Sequence, residues 1–183
     1  MNLPNKLTFI RIILTVPFIY FLQESNTAGF VYRIIAFLIF VVASLTDFFD
    51  GYIARKYNMI SDFGKIMDPL ADKILVISAL VIFVKLNYIP PWMSIVVIAR
   101  EFLISGIRML AAANGEVIAA GKLGKYKTTS QMIVILLMML TGPHLNIGKT
   151  SIDMMYFMLV PVILTIWSGW EYTAKSKHYF LNK

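Results

Sequence analysis

Long apolar runs separated by short polar connections set the pattern of this chain, at about 7–22, 30–49, 67–86, 89–113, 127–143 and 153–170. None of them alternates polar and apolar positions as a barrel strand would, so each predicts a helix. A helix rises about 1.5 Å per residue and a bilayer core is about 30 Å thick, so runs of this length can cross it. The first run, interrupted by Arg11 and Pro17, is short and is expected to begin at the interface. The third is weak at its start, where Asp68, Pro69, Asp72 and Lys73 sit. The expected fold class is an all-α integral membrane protein, with six transmembrane helices, a short N-terminal interfacial segment and one domain over residues 1–183.

Composition agrees with that pattern. A hydrophobic share of 58% and a mean hydropathy of +0.73 are too apolar for an ordinary soluble domain. The chain has no Cys, which excludes disulfides, thiolate metal sites and Cys nucleophiles. Its net charge of +7 is read as basic loops facing anionic lipid, with no nucleic-acid partner.

The placement of the cations gives an orientation. Lys6 and Arg11, then Arg55, Lys56 and Lys65, then Lys122, Lys125 and Lys127, then Lys175, Lys177 and Lys183 fall on alternate connections and the termini. The opposite connections hold little beyond Arg33, Lys85 and Lys149. Six alternating spans therefore put both termini and the most acidic connection on the cytoplasmic side of a multi-pass protein of the cytoplasmic membrane. The first run is basic at its start, but no small-residue cleavage site follows Leu22, so it is expected to stay as a span rather than act as a signal peptide.

Between the second and third runs lies DFFDGYIARKYNMISDFGKIMDPLAD, residues 47–72, with five of the ten acidic residues of the chain. Carboxylates beside membrane-like sequence are costly unless paired or bound to metal. Asp47 and Asp50 are three apart, and Asp68 and Asp72 four apart, so on helices each pair shares a face. Two such pairs make an oxygen-rich site for a hard divalent cation. Gly51 and Ala54 are small enough to admit a ligand or a facing helix, and Arg55 offers a permanent planar cation for phosphate oxygens. Ser61 and Asp62 are candidate caps of the next helix, in which Gly64, Asp68 and Asp72 would stack at four-residue intervals. Pro69 is expected to kink that helix or mark a start nearer Asp68.

The set Asp47, Asp50, Gly51, Ala54, Arg55, Gly64, Asp68 and Asp72 resembles the full signature of the CDP-alcohol phosphotransferases, with all eight positions present in a 26-residue window. The resemblance implies that Asp47, Asp50, Asp68 and Asp72 hold two divalent cations, Mg²⁺ or Mn²⁺, against the pyrophosphate of a CDP-linked lipid. It also implies that Gly51, Ala54, Arg55, Ser61 and Gly64 surround the nucleotide, that Asp72 is the general base, and that the protein is a homodimer.

The motif leaves the acceptor alcohol open. Arg100 and Arg108 are eight apart in an apolar run and fall on roughly one face, which suggests an anionic acceptor. Glu101, beside Arg100, could pair with another element, and Arg108 could instead reach the interface near its helix end. Lys122, Lys125 and Lys127, spaced among Gly121, Gly124 and Thr128 ahead of the next run, could bind a phosphate, or be a basic loop. This stretch, together with residues 2–8 (NLPNKLT) and Arg11, resembles the phosphatidylglycerophosphate synthase branch of the family. That resemblance implies CDP-diacylglycerol as donor, sn-glycerol 3-phosphate as acceptor, and Asn5 and Thr8 near the nucleotide. Inositol phosphate is an alternative acceptor, and a divalent-cation transporter the alternative of another class.

The other polar positions ask for no chemistry. His144 and His178 read as solvated, Trp92, Trp167 and Trp170 as an aromatic belt, Met138 and Met139 as packing or lipid-facing, and Asp153 and Glu171 as span-end residues.

Overall fold

The computed structural model describes residues 3–57, 62–113, 121–147 and 150–176, and within the acidic stretch the side chains of residues 47–70 and Asp72 lie outside the described set. The chain divides into two compact units, Met1–Leu86 and Asn87–Lys183. Helices account for most of the described residues of both.

The first unit holds α1 (Leu3–Gln23), the single turn α2 (Ser25–Ala28), α3 (Phe30–Tyr57) and α4 (Asp62–Lys85). α1 is the centre of this unit and packs against both α3 and α4. Its buried positions are Thr8, Arg11, Thr15, Phe18 and Leu22, a stripe repeating every three or four residues as one helical face does. The facing stripes are Ala36, Phe40 and Ala43 on α3, and Ala71, Leu75, Ala79 and Ile82 on α4. Alanines let the helices approach closely, and Phe18 meets Phe40 with ring centroids 5.5 Å apart. Gly29, at φ 86°, turns the chain from α2 into α3, a conformation that a residue with a Cβ rarely adopts.

Two features of this unit take definite form. α1 is a continuous 21-residue helix through Arg11 and Pro17, with a shorter apolar part, Thr8–Gln23. α4 already begins at Asp62 and so passes through Pro69, within two turns of its start.

The second unit holds α5 (Pro91–Ala113), α6 (Lys122–Thr141), an antiparallel hairpin of β1 (His144–Ile147) and β2 (Thr150–Asp153), and α7 (Met154–Lys175). α7 packs against both α5 and α6. The buried stripe of α5 is Met93, Val97, Ile104, Ile107 and Ala111, and that of α6 is Lys127, Gln131, Val134, Ile135, Met138 and Met139. The two methionines are thus packing residues. Gly142, at φ 76°, ends α6 by donating its N–H to the Met138 carbonyl. The hairpin pairs His144 with Asp153, and the Asp153 carboxylate then accepts from Met155 N at 2.9 Å as the N-cap of α7.

Apolar surface is abundant outside these stripes. Val16, Val31, Met109 and Trp170 are more than half exposed, in company with many other large apolar side chains. Among the described residues one helical stretch, Met154–Ala174, is by itself long and apolar enough to cross a membrane, while the apolar parts Thr8–Gln23 and Phe30–Thr46 are shorter.

Candidate functional site

In the first unit, helical spacing carries the buried faces towards the acidic residues. On α3, the series Ala36, Phe40, Ala43 continues at steps of three and four to Asp47, Asp50 and Ala54, all on the same continuous helix. On α4, Ala79, Leu75 and Ala71 lead back to Asp68, with Asp72 next to Ala71. Gly51 and Arg55 lie in the same final turns of α3, and Gly64 in the first turn of α4, while Ser61 is outside the described residues.

The helix against which both faces pack changes character along its length. The buried stripe of α1 is aromatic and aliphatic at Phe18 and Leu22 but polar at Thr15, Arg11 and Thr8. Arg11 Nε donates to the Ala43 main-chain oxygen at 3.3 Å, which places this polar half of α1 beside α3 one turn before Asp47. Thr46 Oγ1 donates to the same oxygen at 2.7 Å, and Thr15 Oγ1 to the Arg11 carbonyl at 2.9 Å. Of the predicted nucleotide contacts, Thr8 is buried in this polar half, and Asn5 lies in the first turn of α1. Among the described side chains no group of three or more His, Asp or Glu could hold a metal ion, and the four motif aspartates lie outside them.

In the second unit, Arg100 occupies the gap in the α5 stripe between Val97 and Ile104, so its side chain runs along the α7-facing side of the helix. Arg100 Nη2 donates to Ser168 Oγ at 3.1 Å, and Nη1 to Glu101 Oε1 at 3.1 Å. Lys127 Nζ, from α6, donates to that same Glu101 oxygen. The three side chains are 13% (Arg100), 19% (Glu101) and 3% (Lys127) exposed, so this is an ion cluster shared by α5 and α6 and held away from water. Glycines make room for it. A Cβ on Gly124 would stand 3.6 Å from Arg100 Nη2, and one on Gly169 would stand 3.3 Å from Arg100 Cγ. Arg108 is exposed and donates from Nε to the Tyr172 hydroxyl at 3.1 Å. Ser168 and Tyr172 are four apart on α7, so both arginines address one face of that helix, as their spacing on α5 predicts.

The three lysines do not behave alike. Lys122 and Lys125 are exposed in the first turn of α6, whereas Lys127 is buried on Glu101. They belong to the helix rather than to a loop, because Gly121 is its N-cap. Thr128 Oγ1 is turned back onto the Gly124 carbonyl at 3.0 Å. Ser168, Gly169 and Tyr172 carry no signal in the sequence, and Arg11 reads there only as an orienting cation and as part of the branch resemblance. The available signal for Arg11 was its place in the three-and-four repeat Thr8, Arg11, Thr15, Phe18, Leu22.

Comparison with known proteins adds the following. The family described as CDP-alcohol phosphatidyltransferase matches residues 1–167. A Bacillus subtilis (strain 168) protein named CDP-diacylglycerol–glycerol-3-phosphate 3-phosphatidyltransferase is 41% identical, over 96% of this chain and 95% of its own length. A protein of that name from Rickettsia typhi is 38% identical, over 98% of this chain and 99% of its own length. A Mycobacterium tuberculosis protein (strain H37Rv), named probable phosphatidylglycerophosphate synthase, is 34% identical over 96% of this chain and 81% of its own.

Proposed function

The chain belongs to the CDP-alcohol phosphatidyltransferase family, and from that premise we propose that it transfers the phosphatidyl group of CDP-diacylglycerol to sn-glycerol 3-phosphate, releasing CMP and forming phosphatidylglycerophosphate. The observation that carries this reading is the near full-length similarity to relatives named for that reaction, in a chain that keeps all eight motif positions.

The four motif aspartates offer a donor set of carboxylate oxygens on two neighbouring helices of one unit, which suits Mg²⁺ or Mn²⁺. In this reading Asp47, Asp50, Asp68 and Asp72 hold two such cations, which when bound neutralise the pyrophosphate and stabilise the departing CMP. Asp72 takes the proton of the acceptor hydroxyl as its oxygen attacks the lipid-side phosphorus and the bond to CMP breaks. Arg55 pairs with pyrophosphate oxygens, and Asn5, Thr8, Gly51, Ala54, Ser61 and Gly64 line the nucleotide. Arg100, Arg108, Lys122, Lys125 and Lys127 draw in the acceptor phosphate, with Arg100 and Lys127 the built part of that site and the exposed lysines its entrance.

The same reading makes the protein a multi-pass enzyme of the cytoplasmic membrane. Lipid covers the exposed apolar faces, all six long helices cross the bilayer, and the acidic stretch and both termini face the cytoplasm. A homodimer is part of the proposal and is read out by the mass of the detergent-solubilised protein. The activity is tested by incubating purified protein with CDP-diacylglycerol, Mg²⁺ and sn-glycerol 3-phosphate and following CMP and the new lipid together. Formation of both in equal amounts is expected, and absence of CMP release refutes the assignment.

A further inference from the structure

Glu101 is the one carboxylate in the cationic cluster of the second unit among the described interactions, and its position there is specific. A single oxygen, Oε1, accepts from Arg100 of its own helix and from Lys127 of α6. Neighbours in sequence do not share a helical face, so an Arg100–Glu101 pair forms only where both side chains bend towards a common point. That point is fixed from three helices, because Ser168 of α7 accepts from the other terminal nitrogen of Arg100, Gly124 leaves space for that nitrogen and Gly169 for the stem.

One donor in the cluster is not used. Arg100 Nε is buried and has no hydrogen-bond partner among the described residues. A buried donor left unpaired is unfavourable, so this nitrogen stands ready for an acceptor that arrives with a ligand. Among the described interactions one carboxylate faces two cations, and exposed Arg108 two turns along α5 brings a third cation to the same side of the helix. The requirement is an anion with several oxygens.

We propose that Glu101 is a positioning residue for the acceptor's phosphate: it holds Arg100 and Lys127 at one carboxylate oxygen, so that the two cations and Arg100 Nε meet the phosphate already aligned. The proposal rests on the acceptor reading above and deepens it. The physical gain is preorganisation. Arg and Lys are the side chains with the most rotamer freedom, and a phosphate that had to order both would bind more weakly. A carboxylate next to an incoming phosphate repels it, and in this proposal the ordering of the two cations outweighs that repulsion.

The test is steady-state kinetics of full-length purified protein, with both substrates varied and the thermal midpoint measured for each variant. Glu101→Gln should raise KM for sn-glycerol 3-phosphate about tenfold and leave KM for CDP-diacylglycerol unchanged, and Glu101→Asp should recover part of the loss. Because Glu101 acts through Arg100 and Lys127 together, the double variant Glu101→Gln/Lys127→Met should lose less than the product of the two single losses. An unchanged or lowered acceptor KM in Glu101→Gln overturns the proposal, since the carboxylate is then neutral or a competitor. Both KM values and the thermal midpoint shifting together, or the two substitutions multiplying in the double variant, overturn it as well. Wild-type protein that releases no CMP with sn-glycerol 3-phosphate refutes the acceptor assignment itself, which is a different result from an insensitive variant of an active enzyme.

Discussion

Arg11 Nε donates to the main-chain oxygen of Ala43 at 3.3 Å, joining α1 to α3 through a guanidinium whose residue is 1% exposed. A permanent cation is costly to bury unless negative charge lies near it, and the helix it grips carries Asp47 one turn further on. Arg11→Met should therefore lower turnover at saturating substrates by at least about tenfold, equivalent to about 1.4 kcal/mol in the barrier. Arg11→Lys keeps the charge without the planar fork and should fall between. Full turnover in Arg11→Met would remove Arg11 from the account.

The two glycines beside Arg100 make a matched pair of substitutions. Alanine generally stabilises a helix by about 0.5–1 kcal/mol over glycine. Gly124→Ala, whose Cβ would sit 3.6 Å from Arg100 Nη2, should gain some of that and keep its acceptor KM. Gly169→Ala places its Cβ 3.3 Å from Arg100 Cγ, close enough to push the side chain off Ser168. Its acceptor KM should rise several-fold with no gain in thermal midpoint. Equal behaviour of the two variants contradicts the packing described for Arg100.

Asp72→Asn removes the proposed general base while keeping the size of the side chain. Removal of a positioned base costs about 10²–10⁴ in rate. Turnover should fall in that range at unchanged thermal midpoint, as measured by CMP release and by melting of the purified variant.

Chelation tests the carboxylate site as a whole. Excess EDTA should abolish CMP release, and Mg²⁺ or Mn²⁺ added back should restore it. Asp68→Asn should raise the metal concentration needed for half activity. Turnover that persists through exhaustive chelation contradicts the assigned role of the four aspartates.

Much of the helical plan is legible in the chain. The six apolar runs correspond to α1, α3, α4, α5, α6 and α7, and the steps of three and four through Thr8, Arg11, Thr15, Phe18 and Leu22 already define the face by which α1 packs. The β1–β2 hairpin was not visible, because eight strand residues between two long apolar runs lack a period that separates them from a polar connection. Nor was the fate of the lysines. Lys122, Lys125 and Lys127 are one basic cluster in sequence, and only the helical phase starting at Gly121 turns Lys127 inward onto Glu101 while the others stay exposed. Glu101 itself could be read as needing a partner, but which cations it meets is decided by α6 and α7, far along the chain.

Whether this chain joins a CDP-activated lipid to glycerol phosphate is decided by an acceptor competition. Purified protein is given CDP-diacylglycerol, Mg²⁺ and an equimolar mixture of sn-glycerol 3-phosphate, inositol phosphate and serine, and the lipid products are separated by mass. Phosphatidylglycerophosphate should be the dominant product, formed in step with CMP. A dominant inositol or serine lipid would contradict the acceptor assignment, and metal uptake into proteoliposomes with no CMP release would contradict the enzyme altogether.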